Sequence, residues 1–192
     1  MNTKEKILAV ASELLSDNGF NAFSFQDISN VIGIKTSSIH YYFPTKADLI
    51  VGIINYSQRQ QNDLFETIKR KSPNKKLSML IDFYVDLAQK GKMCPIVSIS
   101  SDMNNIDEQI KFELIKFYDF MVAWLAAVLE EGINTNHFVS NQSPTNKSTE
   151  ILNILAMLPI LSRLGKGPES FTRIKQSIKD DVVNKDYSIK EI

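Results

Sequence analysis

The chain is short of the residues that staple, coordinate or span. Its 192 residues include one cysteine, Cys94, one tryptophan, Trp124, and two histidines, His40 and His137. A single thiol allows no intramolecular disulfide, and no Cys, His and carboxylate cluster has metal-ligand spacing, so neither a metal site nor another cofactor is expected. Glycine and proline number only seven and six, which excludes collagen-like and Pro/Gly-rich low-complexity chains. No apolar run is long enough to cross a bilayer. The one from Ile7 to Leu15 is broken by Ser12 and Glu13, and the one from Ile151 to Leu161 is short and contains Asn153 and Pro159. Nothing resembles a secretory signal, and the expectation is a reducing, cytoplasmic location with no membrane partner. Charge of neither sign prevails: 22 lysines and arginines meet 22 aspartates and glutamates. No whole-molecule field therefore draws the protein to nucleic acid.

Catalytic constellations are missing too, and no enzyme activity is expected. The acidic pairs Glu130-Glu131 and Asp180-Asp181 are adjacent in sequence, so on helices they point to different sides and cannot share one substrate. Gly165-Lys166-Gly167-Pro168 lacks the spacing of a phosphate-binding loop and reads as a helix end followed by a new start.

What is present is a globular composition, 43% hydrophobic and 23% charged, with charge distributed unevenly. Residues 1–76 hold ten lysines and arginines against seven aspartates and glutamates, a net of +3 that leaves −3 for the remainder. Residues 1–50 alone sum to −1, so the excess comes from Arg59 and the run from Lys69 to Lys76, whose plainest reading is a solvated helix end.

Helical periodicity runs through the whole chain and predicts an all-α fold. Ile7, Leu8, Ala11, Leu14 and Leu15 form one stripe of a first helix, capped by Thr3 and ended by Gly19. Ser24 with Asp27 has capping-box spacing and opens a short second helix, whose inner face is Ile28 and Ile32 and which Gly33 ends. Lys35 to Phe43 reads as a third short helix with Ile34 and Ile39 inward, stopped by Pro44. Thr45 with Asp48 opens a long fourth helix to about Lys71, and Ser72-Pro73-Asn74 marks a boundary. Further helices are expected over Leu77 to Gln89, from Asp107 to Gly132, over Ser148 to Leu164 and from Pro168 to about Val183. Residues 133–147 should form a polar loop. No strand and no internal repeat is apparent.

Three short helices, the last two joined by a tight glycine turn, describe a helix-turn-helix. The third offers Thr36, Ser37, Ser38 and His40 to base edges, and small side chains at its start suit entry into a major groove about 12 Å wide. Tyr41, Tyr42 and Lys46 are placed for flanking phosphates, Lys46 beside the positive end of the fourth helix.

An apolar first helix, then Gly19-Phe20, the cap Ser24, Asp27-Ile28, Gly33-Ile34, and Tyr41-Tyr42-Phe43-Pro44-Thr45-Lys46 before Leu49 follow one another from Ile7 to Leu49. This succession resembles the N-terminal DNA-binding domain of the tetracycline-repressor (TetR) family of bacterial transcription regulators. The resemblance implies a helix-turn-helix domain over residues 1–47 and a helical effector-binding and dimerisation domain over 48–192. It implies that Ser24 binds phosphate, that Lys35 to Ser38 and His40 face bases, and that Tyr42 and Lys46 clamp the backbone of an operator. Thr36 and Ser37 stand where that family often has Lys and Gly. By the same resemblance the protein is a homodimeric, sequence-specific regulator, a repressor released from a palindromic operator by a small-molecule effector. Residues 148–183, with Leu152, Leu155, Ala156, Pro159 and Ile160, would form the dimer face, although they suit an intramolecular core as well.

Met93-Cys94-Pro95 resembles a cysteine segment in one branch of that family that includes electrophile sensors. Modification of Cys94 would then release DNA, with Lys90 and Lys92 near enough in sequence to lower the thiol pKa. The other reading is a small buried hydrophobe. Phe117, Tyr118 and Trp124, with Phe112 and Phe120, could line an effector cavity or simply pack the core. The alternative for the whole chain is a helical small-molecule-binding protein without operator binding, which footprinting would separate from a regulator.

Overall fold

A computed structural model describes residues 2–100 and 106–184. Its described residues are helical apart from turns and a single isolated antiparallel bridge, Phe138 to Val183. The helices are α1 (Thr3–Asn18), α2 (Phe25–Ile32), α3 (Thr36–Tyr42), α4 (Lys46–Ile68), α5 (Pro73–Gln89), α6 (Pro95–Ser100), α7 (Glu108–Asn134), α8 (Pro144–Ala156), α9 (Leu158–Arg163) and α10 (Pro168–Val182). The fold is all-α, as the periodicity predicts. No helix among the described residues is long and apolar enough to cross a membrane. Two compact units emerge, one of Met1–Phe65 with Met93–Tyr118, the other of Glu66–Lys92 with Asp119–Ile192.

In the first unit α1 packs against α2 and α6, and α2 against α3. The cap of α1 is Asn2 rather than Thr3. The Asn2 Oδ1 accepts the Glu5 N–H at 2.9 Å while Glu5 Oε2 accepts the Asn2 N–H at 3.0 Å, a reciprocal pair that moves the helix start one residue earlier. Ile7, Ala11, Ile28, Ile39, Ile53 and Ile54 are completely buried, each isoleucine stabilising the unit by about 1.5–3 kcal/mol relative to exposure. Gly52 lets α4 pass close to this core: a Cβ there would lie 2.8 Å from Phe43 Cε1 and 3.0 Å from Leu8 Cδ2. The end of α1 is fastened to the segment before α6 by a reciprocal pair. The Ser16 hydroxyl donates to the Met93 carbonyl at 2.7 Å, and the Met93 N–H to the Ser16 carbonyl at 3.1 Å.

The fourth helix ends at Ile68, not near Lys71, because the bonds Lys69 N–H to Glu66 O and Lys71 N–H to Ile68 O are of the tighter i to i+3 kind.

In the second unit α5 lies against α8, α9 and α10. It begins at Pro73, four positions before the expected Leu77, with Ser72 as cap; proline at the first helical position has no N–H to leave unpaired and a φ already suited to the helix. The expected polar loop is shorter than 133–147, because α7 continues through Gly132 to Asn134 and α8 begins at Pro144, capped by Ser143, whose Oγ accepts the Asn146 N–H at 3.2 Å. The helix expected from Ser148 to Leu164 is two helices, separated at Met157, since Pro159 offers no N–H to continue the ladder.

Lysines, two of them buried, tie these helices together. Lys147, with a side chain only 5% exposed, donates to Glu150 at 2.8 Å and to Asp181 of α10 at 2.7 Å. Lys76 of α5 reaches Glu131 of α7 at 2.5 Å, and Lys175 of α10 pairs with Asp82 of α5.

Candidate nucleic-acid interface

The three-helix start of the first unit is shaped by its caps and its turn. Ser24 precedes α2 in extended conformation, and its hydroxyl and backbone N–H both donate to Asp27 Oδ2 at 2.7 Å, while the Asp27 N–H donates back to Ser24 Oγ at 3.3 Å. These bonds from the Ser24 side chain and then its backbone hold the Asp27 carboxyl below the usual carboxylate range. Ser24 is exposed as a phosphate contact requires, but its donors already serve Asp27.

Gly33 ends α2 in the left-handed region, φ 76° and ψ 33°, and its N–H donates to the Ser29 carbonyl at 2.9 Å. Across the same turn the buried Ser29 hydroxyl donates to the Ile34 carbonyl at 2.5 Å. The angle between α2 and α3 is thus fixed by a backbone that only glycine adopts freely and by one hydroxyl.

Beyond the turn, Lys35 is extended and exposed, and α3 anchors itself through Ile39, which is wholly buried. Ile32 and Ile34, expected inward, are only half-buried, since Ile28, Ile39 and Phe43 already fill the interior. The opposite side of α3 carries Ser37 and His40, both exposed, and Tyr41 at 81% exposure, flanked by half-buried Thr36 and Ser38 and by Tyr42 at 37%. The face offered outward is therefore short, polar and aromatic, with the anchoring isoleucine behind it. His40 is braced: its ring meets Phe25 edge-on at 4.5 Å, and Nδ1 lies 3.2 Å from the Pro44 carbonyl. Tyr41 and Tyr42 meet edge to face at 5.1 Å.

The fourth helix starts on the predicted reciprocal cap, with the Thr45 hydroxyl and N–H donating to Asp48 Oδ2 at 2.7 and 3.0 Å. Lys46, its first residue, turns its ammonium inward. Nζ donates to the Phe23 carbonyl at 3.0 Å and lies over the rings of Phe20 and Phe23, 5.2 and 4.9 Å from their centroids. Residue types alone pointed Lys46 at phosphate; the signal for the inward geometry was the Phe-x-x-Phe spacing of Phe20 and Phe23. Nothing in their residue types or spacing marks Ser29, Phe25 or Gly52 for the roles they take here.

The residues considered for effector sensing are dispersed. Cys94 is buried, and burial pushes its thiol pKa up despite nearby backbone N–H groups. The expected lowering by neighbouring lysines is thus reversed, and Lys90 is paired with Asp86 at 2.7 Å. Phe117 is buried and Tyr118 half-buried in the first unit, and Trp124 is half-buried in the second.

A short helix presented outward after a left-handed glycine turn, and braced from behind by a second short helix, defines a helix-turn-helix protein. The sequence profile of the family described as "Bacterial regulatory proteins, tetR family" matches residues 7–53. The HTH-type transcriptional regulator QacR of Staphylococcus aureus is 33% identical over 95 residues, 45% of this chain and 50% of its own length. An uncharacterized HTH-type transcriptional regulator in the lacX 3′ region of Lactococcus lactis is 28% identical over 123 residues, 61% of this chain and 63% of its own. The chain thus spans between half and two thirds of these two curated relatives. A TetR transcriptional regulator from Legionella pneumophila superimposes with a TM-score of 0.82 at 33% identity, covering 94% of this chain and 97% of that one. The chain belongs to the tetR family of bacterial regulatory proteins, which are helix-turn-helix transcription regulators.

Proposed function

We propose that the protein is a cytoplasmic, homodimeric repressor that reads a palindromic operator through α3 of each protomer and leaves it when a small-molecule effector binds or Cys94 is modified. Residues 1–47 act as the operator-binding module and residues 48–192 as the effector-binding and dimerisation part. The observation that carries this reading is the outward face of α3, where Ser37, His40 and Tyr41 stand free of the core while Ile39 anchors the helix from behind. Lys35 to Ser38 and His40 supply hydrogen-bonding groups for base edges, and Ser24, Tyr41, Tyr42 and Lys46 serve flanking phosphates. Exposed Ile154 on α8, Met157 between α8 and α9, and Leu164 just past the end of α9 support a second copy as partner. Release follows if the effector binds better to the conformation whose two reading helices no longer match successive major grooves.

The test is a mobility-shift titration against the DNA upstream of the protein's own gene. Binding that weakens with salt and is abolished by a shuffled site is expected; absent or salt-insensitive binding sinks the reading.

A further inference from the structure

We propose that His40 determines operator specificity as a hydrogen-bond acceptor, its Nε2 engaging the exocyclic amino group of one adenine or cytosine in each half-site. This inference rests on the operator-binding reading above and adds to it the class of base that one residue demands. A neutral imidazole has one N–H and one bare nitrogen, and the partner of either nitrogen decides which is which. Here Nδ1 lies 3.2 Å from the Pro44 carbonyl oxygen, a group that can only accept. In the neutral ring the proton therefore sits on Nδ1, and Nε2 keeps its lone pair. Pro44 lies between α3 and α4, where neither helical ladder claims its carbonyl, so the oxygen is free to fix the ring. Phe25, the first residue of α2, meets the imidazole edge-on with centroids 4.5 Å apart and planes at 68°, which resists turning the ring over. His40 is exposed all the same, and no described residue partners Nε2.

For a bare nitrogen on the outward side of α3 the choice of partner is narrow. In the major groove guanine N7 and O6, adenine N7 and thymine O4 all accept, and donors are confined to adenine N6 and cytosine N4. Phosphate oxygens accept as well, so the same lone pair disfavours a backbone contact. Thr36, Ser37 and Ser38 carry hydroxyls that donate or accept as the base requires and impose no such polarity. His40 thus predicts an unusual degeneracy. At its position adenine and cytosine on the contacted strand should serve alike, whereas inverting the base pair, which puts thymine or guanine there, should not be tolerated.

The ring is tested first in the free protein. At pH 8, where an ordinary imidazole is neutral, the ¹⁵N shifts of His40 should show Nδ1 protonated and Nε2 bare. The base is tested on the duplex that the wild type enriches from a randomised library. Each adenine and cytosine of a half-site is replaced in turn by purine or 2-pyrimidinone, which lack the amino group, with the same change in the other half-site. At one position the loss for wild type should be about tenfold, and the same change should cost His40→Ala or His40→Lys nothing beyond a weakened base pair. His40→Lys, which can only donate, should instead prefer guanine or thymine at that position, and its unaltered preferences elsewhere would show that α3 is still folded. A protonated Nε2, a wild type indifferent to amino deletion at every position, or a deletion that costs the variants as much as the wild type overturns the proposal. A wild-type protein that enriches no duplex fails the operator-binding reading itself, while the ¹⁵N shifts still judge the ring.

Discussion

The ring of Phe138 packs so closely on Gly132 that a Cβ at residue 132 would stand 2.0 Å from its Cδ2 and 2.5 Å from its Cε2. Gly132 therefore does not end α7; it opens a notch in a continuing helix for a ring that is 2% exposed. The Phe138 N–H donates to the Gly132 carbonyl at 3.1 Å, closing the reversal that follows the helix. Gly132→Ala would gain up to about 1 kcal/mol in helix propensity but must displace a buried ring, so a net loss of about 3 kcal/mol is expected in urea unfolding. Gly52→Ala meets its neighbours at 2.8 and 3.0 Å, and its loss should be nearer 1 kcal/mol. A stabilised Gly132→Ala protein would show that the notch is not formed.

The Lys147 ammonium is buried while its two partners are half-exposed, at 44% and 55%. Removing the lysine leaves carboxylates that water can reach, whereas removing the carboxylates strands a charge. Lys147→Met should therefore cost less than about 1 kcal/mol, and Glu150→Gln with Asp181→Asn about 3 kcal/mol. Hydrogen bonds donated to Asp181 and then to Glu150 raise the Lys147 pKa. Its contribution is complete below the unfolded value and is lost as the pH rises through the folded one. Wild type should show an alkaline loss of thermal stability that Lys147→Met lacks.

Asp27 gives the opposite sign. Its carboxyl is held low by Ser24, so its stabilisation is present above the unfolded pKa and lost as the pH falls through the folded value. Thermal melts of wild type and Asp27→Asn should differ near neutral pH and converge once the pH drops below the carboxylate range. Curves that stay parallel into acid would show that the cap does not depend on charge.

Cys94 is buried with a raised pKa, so at neutral pH it should be a protonated thiol shielded from reagents. Alkylation by iodoacetamide at pH 7 is expected to be at least tenfold slower in the native protein than in urea. A sensing role then requires that the chain open before the thiol reacts, and release from operator by oxidant should show a lag. Operator release unchanged in Cys94→Ser removes the thiol from the mechanism.

Much of this architecture was legible because it rests on local chemistry. The caps at Ser24 and Thr45, the turn at Gly33 and the anchor at Ile39 each follow from residues within a few positions of one another. What the sequence did not show depends on partners far along the chain. Gly132 resembles a helix end until Phe138 is placed against it, and Lys147 resembles a loop residue until Asp181 arrives from α10. Lys46 illustrates the limit within the interface itself. Its position beside a helix start suggested phosphate, while the carbonyl and rings that hold it come from the preceding turn. The α3 face was readable by contrast, since exposure there is set by the helical period alone.

Charge placement predicts how steeply salt should weaken operator binding. Residues 1–50 contain four cations, Lys4, Lys6, Lys35 and Lys46. At most four per protomer are then available there to neutralise phosphate. For a dimer, the slope of log affinity against log salt should not exceed about 7 in magnitude. Base discrimination must come largely from uncharged groups, so Ser37→Ala should change sequence preference while leaving that slope alone, whereas Lys35→Ala should lower it by about two. A steeper wild-type slope would mean that cations beyond residue 50 also reach DNA. Within the cationic run from Arg59 to Lys76, Lys69 is paired with Glu66 and Lys76 with Glu131, which leaves Arg59, Arg70, Lys71 and Lys75 as the residues of that run whose neutralisation should then bring the slope down.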